Sequence, residues 1–399
     1  MAEIADCGLR NAAPAIRHPR SAIACAVFGL LAAATMARAQ NAEADAYTRY
    51  ELLAPGSAKF KIIYEVTAVS PGAAYYFNPI RKGSIATDES VFDRATGKPL
   101  EFSVVGFKEA HEAGLRTNDT TQTYIRVKLT RAVPADGGEG RVLIIKTYED
   151  AASYFTRGDT IVFTRPLGIK RNSVILPAGY ELVSSSFPSQ VLQEPDGRIG
   201  ISFWNSTPSE AAVTVRARPA RVPSGASAVT QRLGEERARQ SREIVYFLQQ
   251  PETHAFDLYH DYTETRPGTS QYLNIVRAGS TVSNPHAKNL DTGEDLKWEI
   301  RADTVFFRFA PVPAGGTTRI RMFETYTDTA RYKLVSDELI WDRSFGRPFN
   351  AVVLPQGWIL TNSAVPATVS TTSDGRTRLD FINARPDEIA VLITARRRK

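Results

Sequence analysis

Apolar and polar residues alternate along much of this chain. Phe60, Ile62, Tyr64 and Val66 fall on one side of an extended run, with Lys61, Ile63, Glu65 and Thr67 on the other. Ile125, Val127 and Leu129 alternate in the same way with Arg126, Lys128 and Thr130. A period of two carried by β-branched and aromatic residues predicts strands. Val142 to Ile145 is apolar throughout and suits a central strand, and Val213 to Val215 and Ala390 to Ile393 add two more. Asp196-Gly197 and Asp374-Gly375, each between short apolar runs, carry the chemistry of tight hairpin turns. Short strands, frequent turn signals and little helical periodicity predict an all-β protein of antiparallel β-sandwich type.

The pattern occurs twice. Residues 141–218 align without a gap on 319–396, an offset of 178, with 29 of 78 positions identical. Upstream the offset becomes 196: Tyr50, Pro55 and Phe60 meet Tyr246, Pro251 and Phe256, and Tyr76, Asn78 and Arg81 meet Tyr272, Asn274 and Arg277. The difference, 196 − 178 = 18, is extra chain in the first copy, which the polar stretch Lys108 to Gln122 supplies as a loop. The expected organisation is two tandem sandwiches, residues 47–218 and 243–396. A linker, 219–242, joins them, Pro/Gly/Ser-rich at first and then helix-favouring from Ala228 to Arg242.

Arg10, Arg17 and Arg20 precede an apolar run from Ala22 to Met36, and Ala37-Arg38-Ala39 follows. This is the pattern of a signal peptide, residues 1–39, and it predicts a periplasmic or secreted protein. No later stretch is apolar enough for a transmembrane helix. Both cysteines, Cys7 and Cys25, fall in the expected leader, so the mature chain has no thiol for catalysis or for zinc. The net charge of +6 owes much to the tail Arg396-Arg397-Arg398-Lys399, and no basic cluster elsewhere suggests nucleic acid as a partner.

The chemistry that can be read is sparse. There is no nucleophile elbow, and Gly137-Gly138-Glu139-Gly140 lacks the Gly-Lys-Ser/Thr ending of a phosphate loop. His254 and His260 share strand parity but stand too far apart for one metal ion, and the first copy has Ala58 and Tyr64 at these positions. No metal site and no cofactor are expected. Glu149 and Asp159 could serve as an acid pair for glycoside hydrolysis, but Glu149 is Thr327 in the second copy. What both copies keep includes Tyr148 and Tyr326, Asp150 and Asp328, Tyr154 and Tyr332, Asp159 and Asp337, Arg165 and Arg343, Asn172 and Asn350, and Asn205 and Asn383. These can be shared folding determinants. Read as a binding face, Tyr148, Arg165, Tyr326 and Arg343 would offer aromatic area and planar donors to a peptide or sugar.

Three runs carry a family likeness: Pro251-Glu252-Thr253-His254-Ala255-Phe256-Asp257-Leu258, Asp291-Thr292-Gly293-Glu294-Asp295-Leu296-Lys297-Trp298, and Leu354-Pro355-Gln356-Gly357-Trp358. They resemble the N-terminal β-domain of glycyl aminopeptidase-type zinc peptidases, and the first copy resembles it less clearly. The His-Glu-x-x-His motif of that family's catalytic domain is absent here. The resemblance implies the accessory β-fold without the hydrolase, and no catalytic residue transfers. The expected function is that of an exported, non-catalytic β-sandwich protein that binds a protein, peptide or glycan partner. The alternative is a hydrolase of peptide or glycan with its site between the two copies.

Overall fold

The computed structural model describes residues 46–207, 209–221 and 235–399. The expected signal peptide and most of the linker lie outside them. The described chain is almost wholly β, and its strands fall into two similar sets of fourteen.

In the first copy the seven-stranded sheet runs β12 (Gln190–Gln193), β13 (Ile199–Trp204), β10 (Arg171–Ile175), β1 (Tyr47–Leu52), β2 (Lys59–Ala68), β7 (Gly140–Glu149), β4 (Ile85–Asp93). A four-stranded sheet, β11 (Tyr180–Ser185), β14 (Ala211–Pro219), β9 (Thr160–Leu167), β8 (Tyr154–Arg157), accompanies it. A three-stranded sheet, β3 (Tyr75–Pro79), β6 (Tyr124–Lys128), β5 (Phe102–Val105), completes the copy.

The second copy repeats every position. Its seven strands are β26 (Thr368–Thr371), β27 (Thr377–Ile382), β24 (Phe349–Val353), β15 (Arg242–Leu248), β16 (Ala255–Glu264), β21 (Thr318–Thr327) and β18 (Thr281–Asn289). Its four-stranded sheet is β25 (Trp358–Ser363), β28 (Ile389–Arg397), β23 (Glu338–Phe345), β22 (Tyr332–Val335). Its three-stranded sheet is β17 (Gln271–Ile275), β20 (Thr304–Arg308), β19 (Lys297–Arg301). Each sheet draws its strands from one copy only.

The pairing is antiparallel except for one parallel pair per copy, β1 with β10 and β15 with β24. The repetition extends to irregularities. β4 and β18 bulge at matching places, where Asp88 (φ 56°) and Asn284 (φ 51°) enter the left-handed region that short Asx side chains tolerate. The alternation read on β2 is realised: Phe60, Ile62 and Val66 are buried. Aromatic residues dominate the second core, where Trp341, Tyr332, Phe256 and Phe307 are fully buried. The first copy divides its interior among three clusters, one around Phe60 and Phe163, one around Ile125 and Ile144, and a small one of Val105, Ala110 and Tyr124.

Two local expectations are corrected. The extra chain of the first copy is not all loop, because Phe107–Glu112 forms a short helix, α1, that buries Ala110. In the second copy β19 and β20 join directly at this place. The linker helix does not appear where it can be judged. Residues 235–241 are a bend, a turn and irregular chain, Arg242 already begins β15, and residues 222–234 lie outside the described residues. Tertiary partners outweigh helix propensity here. Glu236 accepts from Tyr47 and Ser202, and Arg237 donates to the carbonyls of Gly346 and Asn383.

The copies meet through polar contacts. Arg141 on β7 makes a bidentate ion pair with Asp291, Nε to Oδ1 at 2.6 Å and Nη2 to Oδ2 at 2.8 Å. The backbone amides of Thr317 and Glu139 donate to Arg94 and Leu290 across the junction. Gly316 has to be glycine: a Cβ there would sit 2.3 Å from the Ala95 carbonyl oxygen.

Candidate functional site

The residues kept by both copies make equivalent contacts. Asp150 caps the turn after β7, accepting from the Ser153 amide and from the Ser84 and Ser153 hydroxyls. Asp328 does the same after β21 with the Arg331 amide and the Ser280 hydroxyl. Arg165 reaches Asp150 at 3.1 Å and lies over the rings of Phe60 and Tyr148. Arg343 reaches Asp328 at 3.3 Å and lies over Tyr246, Phe256 and Trp341. The Tyr154 hydroxyl donates to the Leu53 carbonyl, and the Tyr332 hydroxyl to that of Gln249. Asn205 and Asn383 each tie two carbonyls together.

Tyr148, Tyr326, Arg165 and Arg343, the sequence candidates for binding, are therefore 2%, 5%, 7% and 7% exposed. They do not form one face, since each Tyr–Arg pair lies in its own copy. Arg165 and Asp150 border a cleft of about 380 Å³ with Arg81 and Lys82. The charges there are already engaged, Arg165 with Asp150 and Lys82 with Asp119.

The copies part ways where the three sheets of each converge. In the first, β7 carries Lys146, whose Nζ donates to Asn78 Oδ1 (2.5 Å) and to the Tyr148 hydroxyl (3.0 Å). Burial, aided by Arg165, brings its pKa down to about 7. Tyr64 and Ile169 stand nearby as partly buried core residues. In the second copy the three matching positions are Glu324, His260 and Arg347, so one lysine has become a carboxylate and two other side chains have become basic.

A cavity of about 290 Å³ opens there. Glu324, Tyr326 and His260 project from the large sheet, Asn274 from β17, Arg343 from β23, and Arg347 from the loop after β23. Glu324 is 2% exposed and His260 1%. Asn274 Nδ2 donates to Glu324 Oε2 at 2.6 Å and to the Tyr326 hydroxyl at 3.1 Å. Burial raises the Glu324 pKa, opposed by the hydrogen bonds of Asn274 and Tyr326 and by the charge of Arg347. Burial together with Arg347 and Arg242 holds the His260 pKa well below its ordinary value, so the ring is neutral. Four polar atoms here have no hydrogen-bond partner: Glu324 Oε1, His260 Nε2, Arg343 Nε and Arg347 Nη1.

Of the sequence candidates, Tyr326 and Arg343 line this cavity, whereas Glu324, Asn274 and Arg347 were passed over. The signal that could have found Glu324 and Arg347 was difference, a charge reversal at Lys146 and an apolar-to-basic change at Ile169, with Tyr64 to His260 beside them; Asn274 matches Asn78 and carries no such signal.

The other candidates are scattered. Glu149 pairs with Lys59 across the sheet, while Asp159 bonds its neighbour Thr160 in the β8–β9 turn. His254 is not on the strand with His260 but in the turn before it, in the left-handed region, with Nδ1 2.9 Å from the Tyr332 carbonyl oxygen. A larger, mostly apolar cavity of about 580 Å³ lies between the copies, bordered by Phe187, Trp204, Pro366 and Ile382.

No protein-family model matches the chain, and no curated protein matches it. Among solved structures it is similar to an aminopeptidase N family protein from Idiomarina loihiensis, at 12% identity over 38% of this chain and 29% of that one, TM-score 0.27. It is similar to an M1 zinc metallopeptidase from Deinococcus radiodurans at 13% identity over 39% and 41% of the two chains, TM-score 0.28. A collagen adhesin from S. aureus matches at 8% identity over 74% and 81%, TM-score 0.18. This chain thus spans less than half the length of the two peptidases. The zinc-peptidase likeness of the short sequence motifs is met again as a weak, partial structural match, and it carries no activity to this chain.

Proposed function

We propose that the chain is an exported, non-catalytic binding protein in which the second copy takes a small polar ligand or the end of a protein, peptide or glycan partner. The first copy serves as its structural brace. Export rests on the leader pattern of residues 1–39, and no helix among the described residues is long and apolar enough to cross a membrane. The observation that carries the reading is the contrast at one duplicated position. Lys146 is satisfied inside its own copy, whereas Glu324 and its neighbours leave four polar atoms unpaired around a cavity. Buried polar groups without partners cost stability, and a site that keeps several together is arranged for something that completes them.

The test is to turn the second copy into the first with Glu324→Lys, His260→Tyr and Arg347→Ile together. Thermal melting is followed with dipeptides, monosaccharides and free amino acids as probes. At least one class should raise the melting temperature of the unaltered protein and leave the triple variant unmoved. If no class acts on the unaltered protein, or the triple variant responds equally, the reading fails.

A further inference from the structure

Among the charged side chains that line the cavity, Arg343 pairs with Asp328 and Arg277 with Glu388, whereas Glu324 and Arg347, of opposite sign, do not touch each other. Glu324 is buried, and no Lys, Arg or His comes within ion-pair distance of it among the described residues; Asn274 and the Tyr326 hydroxyl are its side-chain hydrogen-bond partners, and its Oε1 is left without one. Arg347 likewise has no carboxylate at ion-pair distance among the described residues. Its Nη2 lies 3.3 Å from His260 Nδ1 and its Nη1 is unpaired. A guanidinium can only donate, so His260 Nδ1 accepts and the ring proton belongs on Nε2, which faces no partner. One wall therefore presents a free carboxylate oxygen, and another presents an arginine N–H with an imidazole N–H beside it.

A buried carboxylate without an ion-pair partner is expensive to keep, and the half-buried Arg347, whose charge acts on Glu324 without touching it, does not relieve it by direct contact. The first copy avoids both, with Ile169 in place of Arg347 and a lysine that its neighbours satisfy. What neutralises both ends at once is a ligand with a cation at one end and an anion at the other. A single anion would answer Arg347 and leave Glu324 stranded, and a single cation would do the reverse. The volume is at the small end for ligand sites, and Ile244, Leu258 and Phe345 supply apolar lining between the polar walls.

We infer that the second-copy cavity binds a free α-amino acid, its ammonium on Glu324 and its carboxylate on Arg347 and the Nε2–H of His260. The inference rests on the binding role proposed above and narrows its ligand. Asn274 acts as a positioning residue, holding Oε2 of Glu324 so that Oε1 is presented to the ligand.

The experiment is calorimetric titration of the purified protein with the common L-amino acids. The best binder is then compared with its N-acetyl derivative, which lacks the ammonium, with its amide, which lacks the carboxylate, and with inorganic phosphate. The free amino acid should bind at least tenfold more tightly than either derivative. Glu324→Gln should erase discrimination against the N-acetyl form only, and Arg347→Gln discrimination against the amide only; circular dichroism and melting verify that both variants are folded. Equal binding of the N-acetyl form, or binding of phosphate alone, makes the cavity an anion site and overturns the inference while leaving the binding role intact. So does a response to dipeptides or sugars with none to free amino acids. No response to any probe overturns the inference and the binding role together.

Discussion

Replacing Asp291 by alanine removes the acceptor that joins the two copies at their most buried charged contact. Its carboxylate takes two hydrogen bonds from Arg141, at 2.6 and 2.8 Å, and one from the Arg319 amide at 2.9 Å. Both side chains are less than a tenth exposed, at 6% for Arg141 and 8% for Asp291. In the variant, Arg141 keeps only the Thr317 hydroxyl (2.9 Å) and carbonyl (3.0 Å), neither of which carries a charge. Breaking a buried ion pair by deleting one partner costs about 3–5 kcal/mol, because the survivor is left desolvated. The double variant Arg141→Met with Asp291→Leu removes both charges. It should cost less than the single one, what remains being the orphaned Arg319 amide, roughly 1–3 kcal/mol. Urea unfolding followed by tryptophan fluorescence measures both. Trp204 stacks on Phe349 across the junction with ring centroids 5.8 Å apart, so one of the four tryptophans contributes an interface component to the signal. A loss below about 1 kcal/mol for Asp291→Ala, or a double variant at least as damaged as the single one, would refute the claim that this pair holds the copies together.

Two pH predictions follow from the duplicated position itself. Glu324 has a folded pKa raised above its ordinary 4.5, so its burial costs nothing at lower pH, where it is protonated in both states. Stability is lost as pH rises from 4.5 through the folded value. Glu324→Gln should therefore melt at a higher temperature than the unaltered protein at neutral pH and show no gain in acid; an unchanged difference across pH would contradict this. Lys146 has the opposite sense. Its folded pKa is about 7 against 10.5 in the open chain, so the unfolded state holds the extra proton between those values and stability rises with pH across that window. Urea midpoints taken at several pH values in that range should show the rise, and Lys146→Met should flatten it.

The retained residues show how legible the fold was. Asp150 and Asp328, Arg165 and Arg343, and Tyr154 and Tyr332 were kept because each closes the same turn or carbonyl contact in both copies. At these positions identity between the copies goes with equivalent contacts, although Asn274, Tyr326 and Arg343, also identical, line the candidate cavity. The candidate site was hidden in the differences, at Lys146 and Glu324, Tyr64 and His260, Ile169 and Arg347, which a search for shared residues discards. The helix expected from Ala228 to Arg242 can be judged only from residue 235 onward, where it does not form. Its propensity was real, yet in residues 235–241 Glu236 and Arg237 find partners in both copies that a free helix would forgo.

The sequence by itself determined the all-β class, the duplication and the hairpin turns at Asp196-Gly197 and Asp374-Gly375. Alternation, repetition and the left-handed glycine of such turns (φ 84° at Gly197, 83° at Gly375) are local properties of the chain. Only the tertiary structure decided which polar residues find partners and which stay unpaired. That depends on three sheets converging from distant parts of the chain, so that Asn274, His260, Glu324 and Arg347, spread over two sheets and a loop, come to line one cavity.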